Sequence, residues 1–184
     1  MNATENISAE ELEKLRYPIG KFDRRQPLTE TSLRAATDAI AGLPGEVRAA
    51  VVTLSDAQLD TPYRPGGWTL RQTIHHLADS HMNAFIRMKL ALTEENPTIK
   101  PYEEARWAEL PDAAGDVEVS LDLLEALHER WVLILDNLTP DQWNRTFNHP
   151  ESGVTSLEMA AHLYAWHGQH HLTQIRNLRQ RMEW

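Results

Sequence analysis

The residues that could do chemistry in this chain are its histidines, and they are unevenly spread. Four of the nine, His162, His167, His170 and His171, lie within ten residues of one another. His167 and His171 are four apart, which on a helix stacks two imidazoles on one face, one turn apart. A second group, His75-His76-Leu77-Ala78-Asp79-Ser80-His81, stands far upstream. With nine histidines, one i,i+4 pair arises readily by chance, and a buried histidine is more often bonded to neighbouring groups than to a metal. A third imidazole from another helix changes that reading. Three imidazoles around a divalent ion leave a coordination position open, the usual form of a catalytic zinc site. All-imidazole ligation also suits Ni, Cu or Fe. Such an ion lowers the pKa of bound water and polarises an oxygen or sulfur brought to it.

The elements that must position these residues are helices. Thr155 and Glu158 read as a capping box opening a helix that runs to the C-terminal end. Leu157, Ala161, Tyr164, Gly168, His171, Ile175, Leu178 and Met182 form its apolar stripe. A helix from Thr69 to about Leu92, with Gln72 completing its cap, carries the upstream group. There His76 sits on the shoulder of the apolar stripe, with Gln72, Ser80, Asn83 and Arg87 on its side. His75 competes with His76 as the third ligand, although it points towards water. His81 and His128 read as core histidines, His81 with a role beside the ligands open to it. Gln174 and Asp79 are candidates to orient a ligand imidazole. Gly168 would leave space beside His167 for an incoming molecule.

Residues 1–28 are polar and read as an N-terminal arm pinned by Tyr17, Ile19 and Phe22. Residues 29–184 read as one domain. A helix starting near Thr29 keeps its phase across Gly42-Leu43-Pro44-Gly45, as one kinked rod or two collinear ones. A third long helix spans about Val117–Leu138. Residues 93–116 form a long acidic connection, a wall or lid of a site or a plain crossover. No strand run stands out. Four long amphipathic helices predict an all-α four-helix bundle, in which metal and cofactor sites form between facing helices.

The chain has 184 residues and a net charge of −9. No basic stripe is present, which argues against nucleic acid or an anionic membrane as partner. No apolar run approaches a membrane span and the N-terminus has no signal-peptide pattern, so a cytoplasmic location is expected. There are no cysteines. Any metal site must use His, Asp or Glu, and any thiol chemistry must bring its sulfur from a small molecule.

Taken together, Arg16-Tyr17-Pro18-Ile19-Gly20, Gly66-Gly67-Trp68-Thr69, the His75–His81 block and Trp166 through His171 resemble the YfiT-like metal-dependent hydrolases of the DinB-like superfamily. The resemblance implies a four-helix bundle of the DinB/YfiT type with a long crossover connection. It implies one divalent ion per chain, Zn2+ or Ni2+, held by His76, His167 and His171, and a homodimer. The implied activity is hydrolysis of a small-molecule substrate through metal-bound water. Relatives regarded as transferases of low-molecular-weight thiols, of the bacillithiol or mycothiol type, make S-transfer to an electrophile the alternative. A non-catalytic metal-binding stress protein is the second alternative, and a fourth ligand such as Asp79 or Glu158 would favour it. The sequence shows no general base beside the pair, of the kind His-Glu-x-x-His provides. Ligand imidazoles near their ordinary pKa, about 6.5, would lose metal as pH falls from about 6 to 5.

Overall fold

The computed structural model describes residues 7–184. Among these residues eight α-helices run in chain order: α1 (Ala9–Arg16), α2 (Glu30–Val51), α3 (Asp56–Leu59), α4 (Leu70–Thr93), α5 (Glu104–Trp107), α6 (Val117–Leu135), α7 (Pro140–Trp143) and α8 (Leu157–Met182). Four are long, and each packs against two others, α2 on α8 and α6, and α4 on the same two. The result is a four-helix bundle.

Local chemistry sets the helix starts. Thr29 with Ser32, and Thr69 with Gln72, form reciprocal caps at α2 and α4. The last long helix starts one residue later than the sequence suggests. Ser156 is its cap, accepting from the Met159 amide. Thr155 instead belongs to a two-stranded antiparallel hairpin, β1 (Thr146–His149) with β2 (Gly153–Ser156). These strands are four residues each, too short to give a period-2 signal in the sequence. The hairpin holds the long connection in place: the Ile99 amide donates to the Asn148 carbonyl (3.0 Å) and the Asn148 amide to the Pro97 carbonyl (2.9 Å).

The apolar core has two halves. One gathers Leu43, Val47, Leu70, Ile74, Leu77, Leu121, Leu124, Leu172 and Ile175. The other gathers Ile40, Phe85, Met88, Trp131, Leu135, Phe147, Leu157 and Tyr164. Full burial of each large side chain is worth roughly 1.5–3 kcal/mol. Every long helix passes from one half to the other, and five histidines lie at the crossing level: His76, His81, His128, His167 and His171. The bundle therefore carries a polar layer between two apolar ones.

Helix α2 is one continuous rod through Pro44. Proline has no N–H for the Ile40 carbonyl one turn back, so that buried acceptor needs another donor. Close by, α2 and α8 meet at Gly168. A Cβ there would lie 2.4 Å from Leu43 Cδ2. Gly168 is thus filled by Leu43 and leaves no room for an incoming molecule.

In the arm, Tyr17 packs against His170 and Phe22 against Trp166, each with ring centroids 5.9 Å apart. Ile19 is 42 % exposed.

Candidate metal centre

His76 from α4 and His167 and His171 from α8 each present a nitrogen, all three within 4.8 Å of one another. Among the described residues no fourth His, Asp or Glu joins this group. His76 Nε2 and His167 Nε2 are 3.2 Å apart. Two nitrogens each about 2.0–2.1 Å from a shared zinc ion would stand at such a separation. Trp68, from the Gly66-Gly67 turn, packs over His76 with ring centroids 4.6 Å apart.

The outer nitrogens explain why the inner ones face each other. His167 Nδ1 contacts His81 Nε2 at 3.2 Å, His81 Nδ1 contacts His128 Nε2 at 2.8 Å, and His128 Nδ1 contacts the Ile40 carbonyl at 2.6 Å. A carbonyl only accepts, so His128 carries its proton on Nδ1 and offers Nε2 as an acceptor. His81 must then donate from Nδ1 and accept at Nε2, and His167 must donate from Nδ1. The relay leaves the His167 Nε2 lone pair aimed at its neighbours. It starts at the carbonyl that Pro44 leaves free.

His171 is oriented separately. Its Nδ1 donates to Gln174 Oε1 (2.8 Å), while Gln174 Nε2 donates to the Arg16 carbonyl (2.9 Å) and to His170 Nε2 (3.0 Å). The Arg16 carbonyl needs a donor, which fixes the carboxamide's orientation and hence the His171 tautomer. His171 Nε2 is left for the cluster. Asp79, the other expected orienting residue, makes no side-chain bond to His76, His167 or His171; burial raises its pKa, with Asp112 adding to the effect.

Burial keeps these rings neutral. It lowers the His76 pKa to about 4. His81, His167 and His171 lie well below the ordinary value, first by burial and then by neighbouring imidazoles. Three neutral imidazoles, with the tautomers of His167 and His171 fixed by their partners, are the state that binds a divalent ion, so the donor set fits one.

His75 lies elsewhere. It is buried rather than turned to water, with Nε2 donating to the Gly115 carbonyl (3.2 Å) and Nδ1 accepting from the Ser120 hydroxyl (2.7 Å). Both its nitrogens are occupied in fastening α4 to the start of α6.

A cavity of about 340 Å3 opens beside the three histidines, with His76 and His171 in its wall. Ser80 and Arg87 of α4, Tyr102 and Glu104 of the long connection, and His149 and Glu151 of the hairpin also line it. The connection is therefore a wall of the site. Pro101, Tyr102 and Glu151 are shared with an adjoining groove of about 910 Å3. Two carboxylates thus reach the cavity from segments far in sequence from either histidine group, where motif spacing gives no signal. His128 and Tyr164 were legible only as core residues.

The DinB superfamily profile matches residues 39–175. The chain belongs to the DinB superfamily. Curated relatives from Bacillus cereus and Bacillus thuringiensis, each carrying the name "Putative metal-dependent hydrolase", are 55% identical over 170 residues, covering 92% of this chain and 98% of their own. The structure of YfiT from Bacillus subtilis, described as a probable metal-dependent hydrolase with an unusual four-helix bundle topology, superposes with a TM-score of 0.90 at 46% identity, covering 93% of this chain and 99% of that one. A second four-helix bundle protein, TT2238, matches in fold alone, with a TM-score of 0.54 at 21% identity over 79% of this chain and 98% of its own. Among the described residues of this DinB protein, no helix is long and apolar enough to cross a membrane.

Proposed function

We propose that this protein is a metal-dependent hydrolase whose divalent ion is held by His76, His167 and His171. The observation that carries the reading is the open side of the cluster: three nitrogens, no fourth protein ligand among the described residues, and a cavity against them. A structural zinc site is normally closed by four protein ligands. A divalent ion bound there supplies Lewis acidity and lowers the pKa of coordinated water towards neutrality.

The chain's own residues do the rest. Trp68 shields one side of His76. The imidazole relay holds His167, and Gln174 holds His171, in a fixed tautomer. Glu104 and Glu151 line the cavity and supply the carboxylates that could accept a proton from an attacking water, the role the sequence left without a candidate.

Zinc- and nickel-loaded protein assayed on ester and amide panels, in parallel with thiol-conjugation assays, tests this. Hydrolysis that needs the metal and is lost in His167→Ala is the expected result. Metal-dependent conjugation of a thiol without hydrolysis would replace this reading with the transferase one.

A further inference from the structure

We infer that Arg87 forms an anion-binding subsite in the cavity beside the three histidines, so that the substrate carries an oxyanion, carboxylate or phosphate, apart from its reacting group. The inference rests on the reading of this cavity as the substrate chamber.

Helix α4 holds two buried arginines, and they differ sharply. Arg71 is 8 % exposed and fully engaged: Nε meets Asp60 at 2.6 Å, Nη2 meets Asp56 at 2.7 Å and Nη1 donates to the Gly115 carbonyl at 3.0 Å. Arg87 is 9 % exposed and has no carboxylate within 4.0 Å among the described residues. Its Nη1 and Nη2 make only long contacts, 3.4 Å to the Tyr164 hydroxyl and 3.4 Å to the Lys100 carbonyl, and its Nε–H is buried with no partner. The Tyr102 ring lies 6.0 Å from the guanidinium carbon, at the outer limit of a cation–π contact. A buried guanidinium with five donors and no counter-ion is costly to keep unless something completes it.

The cavity shows what would. Arg87 lines the same space as His76 and His171, together with the hydroxyl-bearing Ser80, Tyr102 and Tyr164. His76, Ser80 and Arg87 share one side of α4, and long side chains on a helix lean towards its N-terminus. Arg87 therefore reaches back along α4 towards the histidine layer. A planar fork with free N–H groups is the recognition element for an oxyanion. Glu104 and Glu151 also line the cavity, but both are exposed, and neither pairs with Arg87. Their negative charge disfavours an anion beside them and leaves the buried guanidinium as its seat.

The test is titration calorimetry of the full chain with succinate, inorganic phosphate and neutral succinamide, with and without zinc. Wild type should bind at least one of the two anions in the metal-free protein, and bind succinamide at least tenfold more weakly. Arg87→Met should lose anion affinity at least tenfold, and Arg87→Lys should retain an intermediate value. His76→Ala should keep anion binding while losing metal. Anion binding that survives Arg87→Met and Arg87→Lys unchanged, or appears only with zinc, would overturn the subsite. Because metal content and hydrolysis are read separately, failure of the subsite leaves the hydrolase reading standing, and the reverse also holds.

Discussion

The sharpest consequence of the histidine layer is acid lability. His128 is held at a pKa of about 4 by burial, against a small opposing effect of its bond to the Ile40 carbonyl, and burial holds His76 at about 4 as well. In the unfolded chain both would titrate near 6.5. The folded pKa values lie below the unfolded ones, so below about pH 6.5 the unfolded chain binds protons that the folded chain refuses. Stability is full above that pH and falls as pH drops towards 4, where the folded rings also titrate. For one ring the loss at pH 5 is about 2 kcal/mol, and for the two together about 4 kcal/mol. His81, His167 and His171 push the same way. Against a total of roughly 5–15 kcal/mol, this is enough to bring the metal-free bundle near its unfolding midpoint. Urea denaturation of metal-free protein at several pH values measures it. Unfolding near pH 5 should take up two or more protons, and His128→Leu should lower that number by about one. A stability that changes by less than about 1 kcal/mol between pH 7 and 5 would refute the reasoning.

Three further outcomes follow from the geometry. Metal content should fall to nothing in His76→Ala, His167→Ala and His171→Ala, while His75→Ala, which only unfastens α4 from α6, should keep a full equivalent by element analysis. Gln174→Leu should keep the fold but weaken metal binding roughly 10–100-fold, as the loss of an orienting partner does, measured by competition with a chelator. Gly168→Ala should cost about 1–3 kcal/mol by crowding Leu43 without changing metal stoichiometry, which separates packing from ligand access at that position.

The helices were legible because their caps and apolar stripes are local. Thr69 with Gln72 opens α4 where the pattern places it, and His76 falls on the expected shoulder. The failures were those of partners distant in sequence. His75 looked solvent-facing because helical angle says nothing about Gly115 and Ser120, which cover it from the next elements. Gly168 looked like an opening because the residue that fills it, Leu43, lies on another helix. Glu104, Glu151 and Tyr102 come to the cavity on a loop and a hairpin without periodicity, so only the fold could assign them.

One part of the site is written locally, in Pro44. Pro44 inside α2 is normally a defect, costing about 3 kcal/mol in a helix interior. Here it strips the Ile40 carbonyl of its usual helical donor at a place with no access to water, since Ile40 is fully buried. An orphaned carbonyl there would be a liability. His128 removes it by donating from Nδ1, and the same bond fixes the tautomer of His128, then of His81, then of His167. The interruption and the relay therefore make sense only together. The proline creates an acceptor in the core, and the acceptor sets the direction in which three imidazoles hand their protons, ending with a lone pair turned towards His76 and His171. A helix that kept its regular bond at position 40 would leave that direction less firmly set, and the orientation of the His167 Nε2 lone pair with it.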